Sequence, residues 1–489
     1  MTQSVNASIA KGAVWMLALR FCVKGISIVS IMILARLLTP EDFGLMALAT
    51  SVYALVELFR AFGFSTALIQ KQNASRAHYD SAWTMQVIFS VFASALLFVA
   101  ASVAADYYGD SRLNGILQVM ALIILINGFK NIGIVQFKKR MTFNKEFKYQ
   151  LLIKISGFCV TIPLAWYLQT YWALLAGMFM GNFSSLILSY VMQNYRPKLC
   201  LTEWRELLGF SSWLLLNNVL FFINNHSQNF ILGKVSGSNV LGLYSISNEV
   251  ATMTTNEIVA PINAAAYPGY AKIAHDKEQL KQSYLKVLSS IVLIAVPSAI
   301  GIAAIAPLFV PVLLGDKWLE AIPVIQIIAL GSIMTSISTN SGYVYLALGK
   351  QKITTFIMCF RVSIFLPLLY YLTVSYGVIG AAYSTLLASL VLFPITQTIL
   401  KKQLGIKWSE LTSVLFKPII SAIFMVLAIL PILEVPMNQL ALMLFAIVLG
   451  GAVFLVSMYI LWFFMGKKEC IEKTMLINIK HRIWKGRSS

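Results

Sequence analysis

The sequence predicts an all-α polytopic membrane protein of about fourteen transmembrane helices: two six-helix lobes in a parallel pseudo-twofold repeat, plus two C-terminal helices. Three observations predict it. Of the residues, 58% are hydrophobic and 12% charged, where a soluble domain carries roughly 45–50% and about 25%, so a soluble fold could not hide this apolar surface. The apolar residues come in blocks of about 20, the length that carries an α-helix across about 30 Å of hydrocarbon, without the alternation of barrel strands. Basic residues gather in alternate loops, as the positive-inside rule requires of a helical membrane protein.

Read between charges, Gly, Pro and Asn, the N-terminal lobe (1–200) has helices at 12–35, 43–67, 82–104, 113–136, 147–168 and 171–193. The C-terminal lobe (201–405) has them at 207–232, 240–263, 284–306, 319–347, 353–374 and 377–399, the second ending at Pro261. An extra pair (406–466) spans 412–432 and 439–465, and 467–489 is a basic cytoplasmic tail. The first block follows a short start, Met1 to Lys11, and lacks an A-x-A-like site, so it reads as a retained helix and not a cleaved signal.

Charge fixes the orientation. The loop at 138–148 alone holds Lys138, Lys139, Arg140, Lys145 and Lys148, while the loops of the opposite side hold only Arg36, Arg112, Lys234 and Lys317. Both termini are therefore expected in the cytoplasm. The net charge of +19 is spread over every cytoplasmic loop, which argues for topology and anionic lipid contact and against a nucleic-acid partner. The five cysteines, Cys22, Cys159, Cys200, Cys359 and Cys470, show no paired spacing, so neither disulfides nor a metal site is expected. No phosphate-binding G-x-x-x-x-G-K-[ST] loop occurs, no cofactor is implied, and no outward loop clusters the residues that catalysis needs.

The halves echo each other. Ile33-Leu34-Ala35-Arg36 leads into Gly44, and Ile231-Leu232-Gly233-Lys234 leads into Gly242, so in each half a cation closes the first helix and Gly opens the second. A weaker echo pairs Tyr171-Trp172-Ala173 with Tyr376-Gly377-Val378 at the start of each lobe's last helix.

Polar residues within the blocks are the candidates for function. Arg20 and Lys24 share one face of the first helix, Lys24 about 18 Å from its cytoplasmic end, and either line a cavity or form an ion pair. Glu57 and Arg60 on the second helix form a local pair, or join that cationic group with Glu57 orienting it. Lys130, Lys154 and Arg361 lie in the cytoplasmic third of their helices, where they snorkel or add to a basic vestibule. Asn218, Asn225 and Asn229 make a polar stripe on the seventh helix, suited to hydroxyl-rich ligands or to helix contacts. Glu249 and Glu257, eight apart on the next helix, and Glu57 are candidates for ion coupling or counter-charge.

The stretch Ala35-Arg36-Leu37-Leu38-Thr39-Pro40-Glu41-Asp42-Phe43-Gly44, with Phe62-Gly63-Phe64-Ser65-Thr66-Ala67-Leu68-Ile69-Gln70, resembles the bacterial polysaccharide exporters. These are Wzx-type flippases, of the superfamily that includes lipid II flippases and multidrug and toxin extrusion transporters, and the similarity is closest to the colanic-acid and teichuronic-acid branch. The resemblance covers essentially the whole chain. It implies paired six-helix lobes in the bacterial inner membrane that flip a polyprenyl-diphosphate-linked oligosaccharide outward by alternating access, without catalysis. It also implies membrane lipids as partners, with a polysaccharide polymerase and chain-length machinery downstream. Cations on the first two helices hold the diphosphate in lipid II flippases; Arg20, Lys24 and Arg60 match them by helix and depth, and Lys130 and Arg361 are added here. Lys24 supplies a point charge where an arginine would supply a fork. The alternatives are a cation-coupled multidrug antiporter, which would want an acidic cavity, and a membrane glycan polymerase or ligase, which would want a large outward loop.

Overall fold

The computed structural model describes residues 2–58, 64–71, 73–140, 142–204 and 212–464. Arg60 and the basic tail lie outside the described residues. The chain divides into two compact units, Met1–Ser245 and Ile246–Ser489. By contact the seventh expected helix and the start of the eighth therefore belong with the first unit, although the sequence repeat begins its second half at residue 201.

The first unit contains α1 (Thr2–Leu37), α2 (Pro40–Glu57), α3 (Phe64–Gln70), α4 (Arg76–Tyr108), α5 (Arg112–Gly128), α6 (Val135–Lys139), α7 (Phe143–Leu168), α8 (Trp172–Val191), α9 (Ser212–Val235) and the first part of α10 (Gly237–Ala251). The second contains α11 (Ala260–Lys272), α12 (Lys277–Phe309), α13 (Ala321–Ala347), α14 (Gln351–Leu404), α15 (Trp408–Ile429) and α16 (Gln439–Phe464). Among the described residues nine helices are long and apolar enough to cross a membrane, and ten if one bent pair counts as a span. Trp166, 74% exposed, and Tyr167, 84% exposed, end α7 in the manner of an interfacial aromatic belt.

Two expected helices differ in shape. The segment at 113–136 is bent by 66° between Arg112–Gly128 and Ile132–Lys139. Glu257 sits in a π-helical turn, Thr255–Val259, between α10 and α11. Pro261 does not end that segment: it lies in the first turn of α11, where a missing amide hydrogen costs nothing, and the helix continues to Lys272. The helix Gln351–Leu404 is 54 residues long, but Gly377 at φ 58° breaks it into the two helices expected there.

The α1–α2 junction is tied from four sides. Thr39 caps α2: its side chain accepts from the Asp42 amide at 3.3 Å, while its own amide donates to Asp42 Oδ2 at 3.0 Å. The other Asp42 oxygen accepts from the Tyr171 amide at 2.9 Å, ahead of α8. Glu41 meets Arg112 at 2.5 Å, and Arg112 also binds Asp110 at 2.7 Å. Gly44 lies against α10, backbone on backbone. A methyl group at Gly44 would fall 1.7 Å from the Ser238 carbonyl oxygen, and one at Gly242 would fall 1.7 Å from that of Pro40.

Beyond α8 the chain is strapped to the start of α4. The Tyr195 hydroxyl donates to the buried Asp80 carboxylate, and the Lys198 amide donates to Asp80 Oδ1 at 2.9 Å. The Cys200 amide reaches Thr84 Oγ1 at 3.0 Å and the Glu203 amide reaches Ser81 Oγ at 3.2 Å.

In the second unit Tyr284, Leu288, Val292, Tyr345, Met425 and Met443 belong to one buried core, so α15 and α16 pack with α12 and are not appended loosely. Its tyrosine hydroxyls are matched: Tyr270 donates to Asn340 Oδ1 at 3.1 Å and Tyr345 to the Thr396 carbonyl at 3.1 Å. Lys281 and Glu410, at 2.8 Å, join α12 to the first turn of α15.

Two outcomes follow. Gly242→Ala overpacks the α2–α10 contact and should cost about 1–3 kcal/mol, whereas Gly269→Ala, with nothing within 4 Å of the added methyl, should be neutral; thermal unfolding of the detergent-solubilised protein separates them. The Arg112 guanidinium holds the Asp110 carboxyl below the usual carboxylate range. The stability this gives is therefore complete above about pH 4, the unfolded carboxylate value, and is lost as pH falls through the lower folded value. Arg112→Gln should remove that acid dependence from the unfolding midpoint.

Candidate functional site

The bend in α5 builds the site. A helix that stops inside a bundle leaves its last carbonyls without partners, and hydrocarbon offers none. Here the side-chain amide of Gln86, on α4, donates to the carbonyls of Asn127 at 3.3 Å, Gly128 at 2.9 Å and Lys130 at 3.1 Å. Gly128 makes this approach feasible, since a methyl group there would lie 2.4 Å from Ser90 Cβ. On the far side of the bend the fully buried Asn131 accepts from the Gly133 amide at 2.9 Å and donates to the Tyr195 carbonyl at 2.6 Å. Its own amide donates to Ser189 Oγ at 3.0 Å. Lys130 is thereby fixed at the corner between two polar cavities.

The larger cavity, about 520 Å³, lies among α1, α7, α8 and the bend. Its polar lining includes Ser30, Lys130, Gln150, Lys154, Asn182 and Tyr149. Tyr149 Oη lies 2.7 Å from Ser185 Oγ, which holds the ring in place. Gly157, Gly177 and Gly181 form a wall without side chains. A methyl group at Gly177 would fall 1.6 Å from Thr161 Oγ1, so close packing of α7 on α8 requires Gly177 to stay bare.

The smaller cavity, about 410 Å³, shares Lys130, Tyr149 and Gln150 and adds Glu57, Lys138 and Glu146. Glu146 is buried, pairs with Lys138 at 3.6 Å and accepts from Gln150 Nε2 at 3.1 Å.

The structure groups the candidate residues differently from the sequence. Lys130 and Lys154 line one cavity, and Lys130 and Glu57 the other, whereas neither Arg20 nor Lys24 lines either. Arg20 is exposed on α1 and Lys24 half-buried one turn later. Asn229 Nδ2 donates to Ser51 Oγ at 2.8 Å, so its amide ties α9 to α2. His226, stacked on Phe222 with ring centres 5.0 Å apart, places Nδ1 3.1 Å from the same hydroxyl. Asn225 Oδ1 accepts from its neighbour Asn224 at 2.9 Å. Asn218 is half-buried on α9, and Glu249, Glu257 and Arg361 are half-buried in the second unit. Gln86 and Asn131 carry no sequence signal of their own: an amide becomes informative only once the broken helix beside it is seen.

Comparison with known proteins places this architecture. A family model described as polysaccharide biosynthesis protein matches residues 33–323, more than half of the chain. An uncharacterized membrane protein in the cps region of Klebsiella pneumoniae is 25% identical over 94% of this chain and 96% of its own. The lipopolysaccharide biosynthesis protein WzxC of Escherichia coli K12 is 23% identical over 79% of this chain and 80% of its own. The teichuronic acid biosynthesis protein TuaB of Bacillus subtilis is 22% identical over 72% and 73%. Among solved structures, the lipid II flippase MurJ superposes with a TM-score of 0.75 at 12% identity, covering 93% of this chain and 99% of that one. A multidrug resistance MATE family transporter gives 0.58 at 15% identity, covering 77% and 94%. The chain is thus a multi-pass membrane protein with the fold of these transporters, and it belongs to the polysaccharide biosynthesis protein family.

Proposed function

We propose that this chain flips a polyprenyl-diphosphate-linked oligosaccharide from the cytoplasmic to the outer leaflet of the bacterial inner membrane, by alternating access and without catalysis. The observation that carries the reading is a lysine-lined polar cavity in a bundle whose family is that of polysaccharide biosynthesis. The lipid II flippase MurJ, whose fold this chain shares, and WzxC and TuaB, proteins of lipopolysaccharide and teichuronic acid biosynthesis, support it.

Under this reading fourteen helices cross the membrane, the basic loops and both termini face the cytoplasm, and the basic tail meets anionic lipid. The two sequence halves and the extra helix pair act as the moving lobes and their appendage. Arg20, Lys24 and Arg60 engage the diphosphate, and Lys130 and Arg361 add cationic charge toward the cytoplasmic ends of their helices. Charge-assisted hydrogen bonds suit an anion that must leave water. Asn218 and Asn225 are left to contact the glycan, and Glu57, Glu249 and Glu257 to supply counter-charge or ion coupling. Polymerase and chain-length machinery receive the flipped product. A drug exporter of the same fold is disfavoured because the 520 Å³ cavity presents two lysines and no carboxylate among its lining residues.

Arg20→Glu tests the reading. A charged hydrogen bond is worth about 1.5–3 kcal/mol, so surface glycan should fall roughly tenfold or more, while immunoblots show normal membrane insertion. Lipid-linked glycan should accumulate in the inner leaflet, which mass spectrometry of extracted lipids would reveal. Wild-type surface glycan in the inserted variant would sink the assignment.

A further inference from the structure

We propose that the second unit binds water at a buried site between α11 and α13, held by the side-chain amides of Asn263 and Asn340. The site does not depend on the proposed function: it follows from which polar groups are buried and what they bond.

The seam between these two helices is polar. In α11 the buried residues are Asn263 and Tyr270, seven apart and so on one face of the helix. The Tyr270 hydroxyl donates to Asn340 Oδ1 at 3.1 Å, which turns that face toward α13. Thr255, in the π-helical turn before α11, places Oγ1 2.9 Å from Ser336 Oγ. Further along, the rings of Tyr267 and Tyr343 are centred 6.1 Å apart. These contacts bracket Asn263 on one helix and Asn340 on the other, so the two amides sit at the same level of the seam.

Both asparagines are 0% exposed. Neither Nδ2 nor Oδ1 of Asn263 has a hydrogen-bond partner among the described residues, and neither has Nδ2 of Asn340. Exchanging the oxygen and nitrogen of Asn263 changes nothing, because both ends are open. A bare amide in an apolar interior gives up its hydration without return, and hydrocarbon supplies no substitute. Water supplies one. It donates to Asn263 Oδ1 while it accepts from Asn340 Nδ2, and the Asn263 Nδ2 hydrogens serve a second molecule. Ala266, one turn after Asn263 on the same face, puts only a methyl group beside them. The ligand is neutral, since α13 carries no charged residue and α11 none before its last, Lys272, so a desolvated ion would find no counter-charge in the seam. A bridging water re-forms its bonds after a small shift, so the site joins α11 to α13 without fixing their register.

The test is X-ray radiolysis of the full chain in phosphatidylcholine nanodiscs. Radicals form from bound water as well as bulk water, and mass spectrometry reads the side chains they oxidise. Tyr270 and Tyr345 are each 1% exposed, but Tyr345 donates to the Thr396 carbonyl at 3.1 Å and has no open amide beside it. Tyr270 should therefore be oxidised several-fold faster than Tyr345. Asn263→Leu should bring Tyr270 down to the Tyr345 rate and lower the thermal unfolding midpoint by about 2–4 °C. Asn263→Ser, which keeps a hydroxyl for the water, should retain the faster oxidation.

Equal oxidation of the two tyrosines overturns the site, and this comparison in the parent protein needs no variant to fold. A midpoint in Asn263→Leu at or above that of the parent also overturns it, because removing an amide that bonds nothing costs nothing. Oxidation of Tyr270 that is lost when sodium replaces N-methylglucamine would assign the amides to a cation, against the water reading. None of these measurements involves glycan export, so the proposed function stands or fails separately.

Discussion

The contact on which the first unit depends is the backbone crossing of Gly44 and Gly242. Each glycine rests on the carbonyl four residues before the other, Ser238 on one side and Pro40 on the other. In a bilayer no hydrophobic force drives one apolar helix onto another, because lipid is as apolar as leucine; close backbone approach and its dispersion and Cα–H···O contacts take over. Only residues without a side chain permit that approach. The surrounding loop uses its polar groups to hold the crossing in register, with Asp42 on the Tyr171 amide and Glu41 on Arg112. A loop of the Thr39–Gly44 kind thus secures α2 to α5, α8 and α10 at once.

A second constraint positions the chemistry. Lysines in a membrane helix ordinarily reach toward water, and a straight α5 would have left Lys130 free to do so. The bend turns the chain between Gly128 and Ile132 and keeps Lys130 beside Gln150 and the Glu57 cavity. The cost of a broken helix is offset locally, by Gln86 on one side and Asn131 on the other. Charge, cavity and broken backbone are therefore one device.

Much of this was legible in the sequence. Apolar blocks located the long apolar helices found among the described residues, because the length needed to cross hydrocarbon is a local property. Gly44 and Gly242 stood out as equivalent positions in the two halves, yet their meeting could not be read, since a repeat shows equivalence and not contact. The bend at Phe129-Lys130-Asn131 left no mark, there being no proline in it: its cause is Gln86, some forty residues earlier, and Tyr195, some sixty later. Pro261 misled for the converse reason. A proline stops a helix only where its amide hydrogen was needed, and in the first turn of α11 it was not. That Lys130 and Lys154 line one cavity was likewise hidden, because charge spacing along a chain says nothing of which helices become neighbours.

The bonds around Lys130 also carry an order in time. Gln86 lies upstream of the bend it supports, so its helix is already made when α5 emerges. Asn131, in contrast, depends on Ser189 and Tyr195. The corner therefore stays half-supported until synthesis has passed α8 and the strap has closed on Asp80. The corner that borders both cavities is thus complete only when the whole first sequence half has been made, so its geometry belongs to the finished lobe and not to the helices that line it.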